Sequence, residues 1–369
     1  MIRSTTRGFR TRIALMGLIA LAPSGATAQA SLTPDGRLPG SLQQISNVVE
    51  VGPDRVAFAD TKARTFLIGD FAAGKVELVG RHVDTVTATS GPGEYKYPGW
   101  VARYAGGTVA LVDFAALRAT LWDAQGRPLK RLTLPAAGGA TPVLAYDTLG
   151  HGYKIDYQAI MGGGEPGRAL RPDSIPVLRI DIASGKIDTI ARLGAPDYGD
   201  ARFGDQVQQV AKIFSPNDYF GVLPDGTVWV ARARANSVDW RDLRGQWTRG
   251  TARPFSPAPV TAADRERVMT RLKEHGLPTG VSASFPFATT KPPFESAASR
   301  PNGEVWLQRS RASENEPVTF DVLDRSGKPP REVHVPLGVT VVGFGSGNRI
   351  YALSKASPAG RTLERYRLQ

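Results

Sequence analysis

One pattern constrains this chain more than any other. A turn bearing Gly, Asn or Asp is followed by a short alternating strand, again and again. It reads "GPDRVAFAD" (52–60), "AGGTVALVD" (105–113), "LPDGTVWVA" (223–231), "RPNGEVWLQ" (300–308) and "GSGNRIYAL" (345–353), with a looser copy in "LGHGYKIDY" (149–157). Val56, Val109, Val228, Val305 and Ile350 hold one register, with Ile155 as the counterpart in the loose copy. β-Branched residues in period-two alternation predict strands.

A second unit follows each first one: "FLIGDFAAGK" (66–75), "TLWDAQGRP" (120–128), "LRIDIASGK" (178–186), "VDWRDLRGQ" (238–246) and "FDVLDRSGK" (320–328). An Asp opens the turn and a Gly closes it, as from Asp123 to Gly126, Asp242 to Gly245 and Asp324 to Gly327. The carboxylate can accept turn amides and Gly takes positive φ, so these aspartates serve the turn rather than acid–base chemistry. A sixth copy, "TLERYRLQ" (362–369), stops before its turn.

Two hairpins per repeat and six repeats predict an all-β fold: a six-bladed β-propeller with four-stranded antiparallel blades and one inserted short helix. The turn glycines are unevenly spaced. Gly150 to Gly226 and Gly226 to Gly303 are each far longer than Gly107 to Gly150, and the excess holds no further pair of hairpin signals. These stretches read as insertions at 157–176, 194–217 and 254–292. The last contains "TAADRERVMTRLKEHG" (261–276), whose Thr261 and Asp264 resemble a capping box. Residues 32–38 precede the first recognised strand and are expected to pair with 362–368, closing the ring without an open edge.

Residues 90–135, "SGPGEYKYPGWVARYAGGTVALVDFAALRATLWDAQGRPLKRLTLP", resemble an NHL-type repeat of bacterial six-bladed propellers. Gly91, Pro92, Gly93, Tyr95, Pro98, Asp113 and Gly126 match that pattern. Gly99 directly after Pro98, and no Asn after Asp113, depart from it. The resemblance is good over this blade and weak elsewhere. It implies the fold and leaves function open, since such propellers bind peptides, RNA or sugars and only sometimes catalyse. The stretch "SGPGEYKYPGW" (90–100) is not a phosphate loop. Glu94 stands where phosphate would sit, and a strand rather than a helix follows. It reads as the crossing between blades, with Pro98 and Gly99 starting an inner strand near a crowded axis.

Arg3, Arg7, Arg10 and Arg12 precede an apolar run from Ile13 to Ala22, then a break and small residues. This is the pattern of a secretory leader, 1–30, with cleavage fitting after Ala28 or Ala30. The run is too short to span a bilayer. The expectation is a periplasmic or secreted chain, 31–369, folding as one domain with no transmembrane segment. There is no cysteine, so no disulfide framework. Losing four leader arginines takes the net charge from +12 to +8. That excess in an exported protein does not imply nucleic acid; anionic glycans, lipid headgroups or acidic peptides are nearer partners.

The turns after the first and third strands of each blade fall on one face. The connections between second and third strands, and between blades, fall on the other. That second face carries the long segments 80–98, 157–176, 194–217 and 254–292, and loops carry function more often than scaffold does. The candidate ligand contacts are there: Tyr95 and Tyr97 as flat apolar surface that also caps the groove between blades, and Glu165, Arg168, Arg171 and Arg202 for an anionic or sugar-like partner. In "VWVARARANSVDWRDLRGQWTRG" (228–250), outward arginines and tryptophans between blades outweigh a stacking role. The four histidines, His82, His151, His275 and His334, should not converge, so no transition-metal site and no cofactor is expected; calcium stays open. The functional expectation is a monomeric, non-catalytic binding or scaffold module for a small molecule, glycan or peptide. The alternative is a metal-dependent lactonase or lyase of the six-bladed propeller class.

Overall fold

The structure, a computed structural model, describes residues 29–87, 89–132, 142–156, 172–274, 283–354 and 360–369. Six antiparallel sheets follow one another along the chain. Blade 1 holds Ile45–Gly52, Arg55–Asp60, Thr65–Asp70 and Lys75–Val79. Blade 2 holds Pro98–Arg103, Val109–Asp113, Arg118–Trp122 and Pro128–Leu132. Blade 3 holds Ala145–Tyr146, His151–Ile155, Ser174–Asp181 and Ile187–Gly194, and blade 4 holds Tyr219–Val222, Val228–Arg232, Ser237–Arg241 and Trp247–Thr248. Blade 5 holds Phe294–Ser299, Val305–Arg309, Val318–Leu323 and Arg331–Val335. Blade 6 takes Thr340–Phe344, Arg349–Leu353 and Leu363–Leu368 from the end of the chain and Leu32–Arg37 from its beginning. The expected closure is therefore present, with Leu32 opposite Leu368 and Arg37 opposite Glu364.

Burial shows why the sheets close into a ring. Six apolar clusters each lie between two consecutive blades, and the sixth joins blade 6 back to blade 1. A second strand is buried on both faces, so it reads as a continuous apolar run. In blade 1, Val56 and Phe58 face blade 6, while Ala57 and Ala59 face blade 2. Trp122, Trp229 and Trp306 fill three of these interfaces and are essentially inaccessible. Fully burying a large apolar side chain is worth about 1.5–3 kcal/mol, so the six interfaces carry the fold.

The turns obey the sequence. Asp123 accepts the amides of Gln125 and Arg127, Asp242 that of Gln246 and Asp324 that of Ser326. Gly126, Gly245 and Gly327 have φ of 80°, 85° and 71°. The strand-ending Asp113 gathers the amides of Lys96, Tyr97, Ala115 and Ala116. Val56, Val109, Val228, Val305 and Ile350 are all buried.

Three readings need correction. In blade 3 the register position is filled by Gly152, not Ile155. Gly152 lies opposite Ile180, just before Asp181, as Val109 lies opposite Trp122, just before Asp123. A Cβ on Gly152 would come within 3.0 Å of Val143 and 3.2 Å of Ile182, so neighbours already fill the space. Gly99 is required by the ring of Phe114, 2.3 Å from where its Cβ would be, rather than by crowding at the axis. The insertion between blades 3 and 4 does contain a hairpin, Tyr198–Phe203 with Gln206–Ala211, joined by Ala283–Ser284. Half of its strand residues are exposed and only Ala201 is buried, so no apolar alternation betrays it.

Helix α1, Ala262–Glu274, lies in the following insertion. Its start has reciprocal hydrogen bonds: the Asp264 amide donates to Thr261 Oγ1 and the Thr261 amide to Asp264 Oδ2. Buried Lys291 donates to Asp264 and to the carbonyls of Arg311 and Ala312, fastening the helix to blade 5. Burial alone would raise the Asp264 pKa, but the bonds from Lys291, Thr261 and Arg267 outweigh it and hold the carboxyl well below its usual range.

Candidate functional site

Of the residues singled out from the sequence, Glu165, Arg168 and Arg171 lie outside the described residues. Tyr95 is only 2% exposed, which corrects its reading as a ligand contact. Its hydroxyl donates to the Val79 carbonyl and accepts from the Phe66 amide, so the phenol stitches blade 2 to blade 1. Burial raises its pKa. Tyr95 does fill the groove between blades 1 and 2, as its other reading had it. Tyr97 is half-buried and stacks on Phe114 at 6.3 Å. Arg202 is exposed on the inserted hairpin, opposite Val207 and Ser284. In the Arg/Trp segment, Trp229 and Trp240 are buried, while Arg232 pairs with Asp218 and Asp239 and Arg249 with Asp239.

The histidines sit in different blades. His151 Nδ1 lies 2.7 Å from buried Asp147, and His334 Nδ1 lies 3.0 Å from the Thr319 hydroxyl. His82 is exposed in the link between blades 1 and 2, and His275 lies outside the described residues. Among the described residues, no group of three or more His, Asp or Glu side chains is placed to hold a metal ion. No described helix is long and apolar enough to cross a membrane.

Two grooves open on the tight-turn face. One, of about 540 Å³, runs between the turns of blades 4 and 5, with Asp225, Asn302, Asp324, Arg325 and Ser326 along it. Its single arginine stands 3.7 Å from Asp225, so its polar lining has an acidic excess. The other, of about 370 Å³, lies at the seam between blades 6 and 1, lined by Asp54, Ser346, Asn348, Arg349, Arg365 and Arg367. That volume is at the small end of ordinary ligand sites.

Strand pairing brings the seam arginines together. Arg349 and Arg367 are directly opposite one another, and Arg365 faces Tyr351 two residues along the same side of its strand. Like charges directly opposite across a sheet are destabilising. Acids from three other segments compensate. Buried Glu50, on the first strand of blade 1, faces Arg349 at 3.1 Å and accepts from the Ser346 amide and the Tyr351 hydroxyl. Asp54 accepts from Arg365 Nη1 at 2.6 Å. Asp35, on the N-terminal strand, is 2.9 Å from Arg365 Nε and 3.1 Å from Arg367 Nε. The Arg365–Asp35 approach is a close charge contact rather than a directed hydrogen bond. Arg365 also lies over the Phe71 ring at 4.8 Å. Burial works against its charge, but Asp54 and Asp35 outweigh this, and its pKa is raised. Buried Arg300 reaches across from blade 5 to the Gly347 carbonyl and fixes the turn from the other side.

The result is a braced polar groove with one loosely held cation. The Arg367 side chain is 66% exposed, against 24% for Arg349 and 11% for Arg365. Beside it stand acceptors and small polar groups: Asp54, Ser346 and Asn348. Sequence reasoning missed this set. Its one local signal is the Arg-Tyr-Arg alternation in "TLERYRLQ".

No family model matches the chain, and no curated protein matches it. Solved structures do align along most of its length. A member of the DUF4221 family from Bacteroides vulgatus is 9% identical, covers 93% of this chain and 99% of its own, and gives a TM-score of 0.49. A gluconolactonase from Xanthomonas campestris is 14% identical over 92% of this chain and 97% of its own, at 0.46. The WD40 repeats of RRP9 are 11% identical over 92% and 100%, also at 0.46. Likeness this distant carries no argument about function. The propeller fold rests on the sheets and the six interfaces described above.

Proposed function

We propose that this chain is an exported NHL-like propeller that works as a binding module, and that its seam groove holds a small acidic carbohydrate. The observation that carries this reading is the Arg349–Arg367 pair, two cations directly opposite on adjacent strands at a groove, one braced and one open. Arg367 meets Asp35 at 3.1 Å through Nε and keeps most of its side chain in solvent, so part of its charge is left for a ligand. An anionic ligand suits it, because a guanidinium offers a planar, bidentate match to a carboxylate. In this reading Arg367 takes the sugar carboxylate. Asp54 accepts from ring hydroxyls, and Ser346 and Asn348 can donate or accept. Neutral sugars lose the charge-assisted contact, and simple carboxylates lose the hydroxyl contacts.

Isothermal titration with D-glucuronate, D-glucose and acetate tests this. Glucuronate should bind more tightly than either control. A hydrogen bond to a charged group is worth about 1.5–3 kcal/mol, so Arg367→Ala should weaken glucuronate roughly ten- to hundredfold. The melting temperature should stay within about 1–2 °C, because Arg367 is mostly exposed. Loss with Arg202→Ala and not with Arg367→Ala would move the site to the insertion-bearing face. Turnover of an added sugar lactone would replace the binding reading with the lactonase alternative.

A further inference from the structure

The leader pattern offers two cleavage points, and the fold distinguishes them. Ala26-Thr27-Ala28 permits a cut before Gln29, and Ala28-Gln29-Ala30 permits a cut before Ser31. Gln29–Ala30 is a fifth strand on blade 5. It pairs in parallel with the outer strand, Gln29 opposite Glu332 and Ala30 opposite Val333. Ala30 is 6% exposed and sits in the cluster between blades 5 and 6, with Val333, Val335, Tyr366 and Leu368. Two residues later the same segment becomes the outer strand of blade 6, starting at Leu32. One short stretch of chain therefore fastens two neighbouring blades and covers an outer edge of blade 5 that would otherwise be open.

The geometry points to processing between Ala28 and Gln29: hydrolysis of that peptide bond leaves a chain whose first two residues are the blade 5 edge strand. A cut before Ser31 would remove that strand and the buried Ala30 side chain with it. In the folded chain the Ala30–Ser31 bond lies between two paired strands, and Gln29 is the first paired residue among the described ones. This inference rests on the leader reading, and the outcomes below separate the two.

The test is mass spectrometry of the intact chain and its N-terminal peptide, after expression of the full sequence in a two-membrane bacterium. A new N-terminal glutamine can cyclise, its α-amine displacing ammonia from the side-chain amide. Mass, which accommodates both forms, is therefore a better readout than stepwise sequencing. A chain beginning at Gln29, open or cyclised, is the expected result. A chain beginning at Ser31 overturns the inference while leaving the leader reading intact. An uncut chain overturns both. As a second arm, recombinant 29–369 should melt roughly 2–5 °C above recombinant 31–369. Equal melting would overturn the structural argument for the site.

Discussion

Blade 2 and blade 6 have the same four strands and are held together differently. Blade 2 is one continuous stretch, Pro98 to Leu132. Covalent continuity keeps its strands near one another, and a single buried carboxylate completes the arrangement. Asp113 accepts amides from the incoming segment, at Lys96 and Tyr97, and from the following turn, at Ala115 and Ala116. Blade 6 has no such continuity, because its outer strand comes from the opposite end of the chain. Bringing distant segments together costs closure entropy that blade 2 does not face. The seam offsets it with an antiparallel pairing bulged at Asp35, with apolar contacts at Leu38, Leu42 and Leu363, and with charges: Asp35 and Asp54 around Arg365, and Glu50 around Arg349. In blade 2 the closing carboxylate is used up on backbone amides. At the seam, side-chain charges from both chain ends meet along a groove.

The contrast can be broken at either blade. The largest effect should come from truncating the chain to begin at Pro39. This removes the outer strand of blade 6 and fully buried Leu38, and leaves Arg365 without Asp35. The expected fall in melting temperature is roughly 10 °C or more, since several kcal/mol are lost and each shifts a chain of this size by a few degrees. A fall below about 3 °C would mean that the N-terminal strand is decoration and the ring closes without it. Asp113→Ala should cost less, about 1–3 kcal/mol, because it leaves four part-buried amides without their acceptor. Its damage should be local, with protease cutting rising around 95–117 and not at the chain ends. Cutting at the ends instead would mean that blade 2 and the seam open as one unit, and the contrast would fail.

How much of this the sequence could show follows from the same contrast. Features made by neighbours in the chain were legible. The Asp–Gly turns, the buried valine register and the capping box at Thr261 and Asp264 all rest on residues within a few positions of one another. The closure was legible because repeat counting leaves the sixth blade one strand short. The Gly152 register was hidden because a glycine carries no side chain to show a pattern, and the hairpin at 198–211 because Ala201 is the single buried residue of its two strands. Tyr95 looked like a surface aromatic until the fold placed Phe66 and Val79 around its hydroxyl. The seam groove was the least legible. Arg349 and Arg367 meet only through a pairing register, and Glu50, Asp54 and Asp35 reach them only through ring closure.

Hydrogen exchange read by mass spectrometry tests the central claim, that the seam is both the closing point of the ring and its ligand site. In the free protein, 32–37 and 363–368 should exchange through smaller openings than 109–113 and 118–122 in blade 2. Saturating D-glucuronate should slow exchange at 32–37, 345–349 and 363–368 and leave blade 2 unchanged. Protection at 198–211 instead, or none anywhere, would contradict the account.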